Sequence, residues 1–184
     1  AALFIGGSWL VAHGVREGER WQRLGRKWLE NRAARLIGED GSFSQYSLNY
    51  HRVLLDTFCM VEIWCQRQSL PRFSPRWYAR SLAATRWLHT MVNTDNGDGP
   101  NLGANDGARL LQLTDTDYRD FRPSVQLAMA LFANACAYEA EGVWNLPLRW
   151  LGVELPQTLA EQPSSCQFDN GGFAVLRRGA VMAM

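Results

Sequence analysis

The sequence predicts a mainly α fold, an incomplete α/α toroid of antiparallel helices, followed by the first hairpin of a separate β-domain. Three observations predict it. Apolar residues recur at helical spacing in successive segments from Ala1 to about Tyr138. These segments alternate between amphipathic ones with a wet face and ones apolar nearly all round, as outer helices layered on inner helices would be. Past residue 166 the pattern changes to the period of strands. No motif returns at a fixed period, which argues against a TPR or ankyrin array.

The elements follow in order. Ala1 to about His13 reads as the end of a buried helix, closed by Gly14. Val15 to Ile37 carries Trp21, Leu24, Trp28, Ala33 and Leu36 among charged residues, the pattern of an amphipathic outer helix. Gly38-Glu39-Asp40-Gly41-Ser42 breaks it. A third helix starts at Ser47, an N-cap residue type, and runs to about Gln68 as an inner helix. Ser74-Pro75 opens a fourth, to about Val92, with Trp77, Leu82, Trp87 and Leu88 as core contacts. The Asn-, Asp- and Gly-rich stretch from Asn93 to Gly107 is a long loop, a kind that is usually functional or mobile. Arg122-Pro123 opens the fifth helix, whose apolar body spans Val125 to Tyr138, and a short segment follows around Leu146 to Leu151. Residues 1–152 therefore form the helical domain and 153–166 a Pro-, Gln- and Ser-bearing linker. Residues 167–184 begin the β-domain, with a hairpin tip near Arg178-Gly179.

Composition narrows the function classes. With 184 residues and 47% apolar side chains the chain can bury a sizeable core, which excludes a disordered segment. A net charge of +1 argues against nucleic-acid binding by bulk charge. Arg supplies all but one (Lys27) of the 19 basic residues. That imbalance fits either codon bias or the recognition of anions by bidentate guanidinium groups. Cys59, Cys65, Cys136 and Cys166 lack zinc-like spacing, and no metal site or cofactor is expected within the chain. The apolar run Val125 to Tyr138 is too short for a transmembrane segment. Both ends fall inside apolar runs, Ala1 to Ile5 and Ala180 to Met184, as they would in a piece of a longer protein.

Two loops carry the candidate chemistry. Glu39 to Arg52 leads a polar stretch with Tyr46, Tyr50 and His51 into the first turn of an inner helix, where free N–H groups favour anions. A tyrosine there suits proton transfer; equally, both tyrosines suit an amphipathic plug and His51 a satisfied surface residue. Asp98 to Leu111 brings Asn105, Asp106 and Arg109 between glycines, a pattern that serves sugar or carboxylate binding as well as plain turns. It has neither EF-hand nor P-loop spacing, and the chain lacks the elbow of serine hydrolases and the His-Glu-x-x-His of zincins.

Three stretches taken together resemble the heparinase II/III-like polysaccharide lyases. They are Asp40-Gly41-Ser42 through Tyr50-His51-Arg52, Pro100-Asn101-Leu102-Gly103-Ala104-Asn105-Asp106-Gly107, and Asp169-Asn170-Gly171-Gly172-Phe173-Ala174-Val175-Leu176-Arg177. The resemblance covers nearly the whole chain in order. It implies the C-terminal part of an α/α toroid plus the first hairpin of an antiparallel β-sandwich, with the active site in the cleft between them. It further implies β-elimination on an acidic, uronate-containing polysaccharide, with Tyr50 as general base and acid. Tyr46 is the reserve, and Tyr46, His51, Asn105 and Asp106 lie on the substrate side. The family's Asn-His motif would fall upstream of Ala1, and His13, at the far end of its helix, does not replace it. The chain alone is therefore expected to be inactive. A periplasmic or cell-envelope location fits the resemblance, and the oligomeric state is left open. Two competitors stand beside it. An α/α glycoside hydrolase would use carboxylates such as Asp40, Asp98 and Asp106. A non-catalytic binder of acidic polysaccharide would use some of the eight tryptophans.

Overall fold

The computed structural model of the chain describes residues 1–139 and 141–178, and the backbone of 181–183. The fold is mainly helical with a small antiparallel sheet. Its helices are α1 (Ala2–Ala12), α2 (Glu17–Leu36), α3 (Leu48–Arg67), α4 (Pro75–Met91), α5 (Arg122–Ala133) and α6 (Leu146–Trp150), the last preceded by a 3-10 turn over Val143–Asn145. Strands β1 (Cys166–Phe168), β2 (Phe173–Arg178) and β3 (Val181–Ala183) lie in that order in the sheet. Among the described residues no helix is long and apolar enough to cross a membrane.

Local chemistry sets the starts of α3 and α4. Ser47 caps α3, its Oγ accepting from the Tyr50 amide at 3.1 Å. Ser74 caps α4 in the same way, accepting from the Trp77 amide at 3.2 Å, with Pro75 in the first turn. Packing α3, α4 and α5 together buries Leu55, Phe58, Trp77, Trp87, Leu88, Val125 and Leu127. Fully burying each such side chain contributes roughly 1.5–3 kcal/mol. Trp77 and Trp87, expected in the core, are almost entirely enclosed; Leu82 is only half-buried.

Helix α5 stops earlier than its apolar run. Asn134 takes the left-handed conformation at φ 50° and ends the helix there. The apolar residues that follow, Ala137 and Tyr138, are buried from irregular backbone.

Helix α1 is not the buried helix its composition predicts. It buries Phe4, Gly7 and Ser8, while Leu3, Trp9 and Val11 are exposed, Trp9 by 49%. The reason lies in how it meets α2. Gly7, Gly18 and Gly25 bring the two backbones so close that a Cβ on Gly7 would sit 2.4 Å from the Gln22 amide nitrogen. Such a seam is narrow, and it covers one strip of a helix that is apolar on every side. Trp64 of α3 reaches the same strip, its indole donating to Ser8 Oγ at 2.6 Å.

The hairpin packs directly onto the helices. Phe168 and Phe173 lie against Trp87, with ring centroids 6.0 and 5.5 Å away, and Val175 is fully enclosed. Arg177 donates through Nη2 to the carbonyls of Thr90 and Val92, at 2.5 and 2.7 Å, where α4 ends. Asp40 Oδ2 accepts from the Asn170 amide at 2.8 Å. The stretch expected to be a linker is also fastened. Thr158 and Ala160 bond the backbone of Cys136 at 2.7 and 2.8 Å, and β1 begins at Cys166. Strands β2 and β3 pair in register Leu176↔Ala183 and Arg178↔Val181. The expected tip residue Gly179 and the final Met184 lie outside the described residues.

Candidate functional site

Ser47 fixes the candidate site from below. Its hydroxyl accepts from the Tyr50 amide and donates to the Ala104 carbonyl at 2.6 Å, so the start of α3 and the long loop after α4 share one anchor. The Leu48 amide donates to the Leu102 carbonyl at 3.1 Å. Gly103, at φ 69°, lets the loop pass so close to Tyr46 that a Cβ would fall 2.0 Å from the Tyr46 carbonyl oxygen.

Arg52, one turn into α3 and almost wholly buried, clamps the rest of the loop. It donates to the carbonyls of Tyr118 and Ala108 at 2.6 and 3.3 Å, and to Asn49 Oδ1 at 2.8 Å. Its guanidinium also stacks over the rings of Tyr118 and Phe121, 4.6 Å from each centroid. Asp56, a turn further into α3, lies behind it. Burial pushes its carboxyl up to about 6, with Ser124, Arg52 and the backbone at Leu111 pulling the other way.

On this base four polar side chains come together, Tyr50 from α3 and Asn105, Asp106 and Tyr118 from the loop. Tyr50 Oη donates to Asp106 Oδ2 at 2.6 Å, and Tyr118 Oη donates to Asn105 Oδ1 at 2.5 Å. Asp106 Oδ1 accepts from the Ala108 amide at 3.1 Å, which turns Oδ2 toward the phenol. The bond to Asp106 raises the phenol's pKa above its ordinary value, and the same bond lowers the carboxyl's. The resting state is therefore a neutral phenol against a carboxylate. Asp106 is exposed and Tyr50 half-buried, with the bond between them facing solvent, and the pair can accept, hold and return a proton.

Of the residues singled out in the sequence, Tyr50, Asn105 and Asp106 come together here. Tyr46 turns instead toward the hairpin, 52% exposed at φ 51°, its ring 6.0 Å from that of Phe173. His51 does not join them. It is fully buried, its Nε2 bonded to the Ala84 carbonyl at 2.8 Å and its ring stacked on Trp87 at 4.5 Å. Burial lowers its pKa to about 4, so the imidazole is neutral at ordinary pH. It is neither a substrate contact nor the surface residue that the alternative reading supposed. The carboxylates offered for a hydrolase have separate partners. Asp40 binds Ser42 and the hairpin backbone, Asp98 pairs with Arg119 at 2.8 Å, and Asp106 holds Tyr50.

Sequence reasoning missed Tyr118. Its one signal is position, inside the polar run Asp117-Tyr118-Arg119-Asp120 immediately ahead of α5. Among the described residues, no group of three or more His, Cys, Asp or Glu side chains is placed to hold a metal ion. The four cysteines are free thiols. No protein-family model matches the chain, and neither a curated protein nor a solved structure matches it.

Proposed function

We propose that this chain is part of a polysaccharide lyase that cleaves a uronate-containing polymer by β-elimination, with Tyr50 as general base and then general acid. The architecture we propose with it is the C-terminal part of an α/α toroid followed by the opening of a β-sandwich. One observation carries the reading: the exposed Tyr50 hydroxyl, hydrogen-bonded to Asp106 on a loop that Ser47 and Arg52 fasten to the same helix. Elimination needs a group that removes the proton beside the uronate carboxylate and then protonates the departing glycosidic oxygen. A single phenol serves both steps when both atoms lie on one side of it. The charge that builds on the carboxylate needs a neutralising donor, the role the resemblance gives to an Asn or a His.

The test uses the longest natural chain that contains these 184 residues. It is incubated with alginate, heparan-type chains and bacterial exopolysaccharides, and the ultraviolet absorbance of unsaturated uronate ends is followed. Wild type forms that product from at least one polymer, and Tyr50→Phe forms none. New reducing ends without the absorbance would make the protein a hydrolase, dependent on Asp→Asn changes instead. Binding without any new ends would make it a non-catalytic polysaccharide binder. The 184-residue chain alone is expected to form no product.

A further inference from the structure

We infer that Asp106 is the proton acceptor that allows Tyr50 to act as a base from its neutral state, an inference that rests on the elimination reading above. A phenol with an ordinary pKa of about 10 is protonated at neutral pH, so it can take a carbon-bound proton only by giving up its own. Among the described residues, the hydrogen-bond acceptor placed to take that proton is Asp106 Oδ2, at 2.6 Å. The carboxylate is held for the purpose. The Ala108 amide occupies Oδ1, and the loop on either side is tied to α3 through Ala104 and Ala108. The other titratable group that acts on Tyr50 is Tyr118, whose hydroxyl is turned to Asn105 and whose ring is backed by Arg52.

The step balances. As the C5–H bond of the uronate breaks, its proton forms a new O–H bond at Tyr50 Oη, and the phenol's original proton crosses to Asp106 Oδ2. The C5–H electron pair passes into the enolate. It then becomes the C4–C5 double bond as the C4–O bond breaks. Tyr50 gives its proton to the departing oxygen and recovers one from Asp106, which restores the starting state. Asp106 touches no reacting atom and is a positioning residue that acts through Tyr50.

The experiment compares Asp106→Asn, Asp106→Glu and Tyr50→Phe in the longest natural chain, on the polymer that wild type cleaves. Asparagine keeps an acceptor for the Ala108 amide but is a far weaker proton acceptor. Asp106→Asn is expected to lose about 100-fold in kcat near neutral pH with KM little changed, the usual scale for a lost acid–base group. Its residual rate should climb as pH rises toward the phenol's own ionisation, and Asp106→Glu should recover part of the loss. A wild-type kcat and pH profile in Asp106→Asn would overturn the inference, as would a loss confined to KM, which would make Asp106 a substrate contact. Absence of unsaturated product from wild type, or its presence with Tyr50→Phe, would instead sink the elimination reading itself. In the 184-residue chain, NMR titration of labelled tyrosine supplies a readout independent of turnover. The Tyr50 phenol should ionise at lower pH in Asp106→Asn than in wild type, and an unmoved midpoint would also overturn the inference.

Discussion

Replacing His51 by Gln should remove one acid-sensitive element of stability while keeping its bond to Ala84. Gln puts an amide N–H near the position of the histidine Nε2, which donates to the Ala84 carbonyl at 2.8 Å. The histidine pKa is about 4 in the folded protein and about 6.5 in an unfolded chain. Above the higher value both states are neutral and the group is silent. As pH falls below it, the unfolded chain takes up a proton that the folded one refuses, so stability is lost down to the folded pKa. The full difference of about 2.5 pKa units is worth roughly 3 kcal/mol, and about 2.5 kcal/mol of it is lost by about pH 4.5. His89, also lowered to about 4 by burial and by Arg177, subtracts in the same sense. Asp56, raised to about 6, takes up its proton in the folded state first and so adds stability as pH falls through that range. These two groups are common to wild type and variant, so the difference between the proteins isolates His51. Urea unfolding followed by tryptophan fluorescence at about pH 7.5 and about pH 4.5 gives that difference. Losing the stack on Trp87 costs the variant a constant offset, but wild type should fall by about 2.5 kcal/mol more between the two pH values. Parallel stability curves would refute the reasoning, because they would mean the imidazole is hydrated or paired in the folded state.

Two substitution tests follow from packing. Gly25→Ala puts a Cβ 2.4 Å from the Phe4 amide nitrogen and should cost about 1–3 kcal/mol in thermal unfolding. Gly6→Ala on the open side of α1 meets nothing within 4 Å and should stabilise by up to about 1 kcal/mol, so effects of the same sign would break the argument. Ser47→Ala removes both the α3 cap and the anchor to Ala104. It should cost about 1–2 kcal/mol in urea unfolding and speed hydrogen exchange at the Leu48 amide, which pairs with Leu102; unchanged exchange there would show that the loop holds without it.

What could be read from the sequence is what depends on neighbours along the chain. The starts of α3 and α4 were legible because Ser47 and Ser74-Pro75 are local cap chemistry. The end of α5 was not, since Ala137 and Tyr138 are apolar for reasons of burial rather than helicity. The exposed flank of α1 was illegible because composition reports how apolar a helix is and not which neighbours reach it. At the site, Tyr50 with Asn105 and Asp106 stood out by residue type. His51 was misplaced because consecutive helix residues point about 100° apart, so the neighbour of the half-buried Tyr50 faces the core. Tyr118 joins only when the loop closes over Arg52, a contact across 66 residues that no local pattern announces.

The fastening of the hairpin has a consequence for how the chain opens. Strands of three to six residues in so small a sheet have little stability of their own. Arg177 ties β2 to the carbonyls at the end of α4, and Asp40 ties the Asn170 amide to the loop before α3. The hairpin amides are thus protected for as long as the end of α4 stays closed, and strand and helix open as a single unit. A protease that nicks the stretch between Glu154 and Ser165 would cut the covalent tie and leave the C-terminal piece still docked.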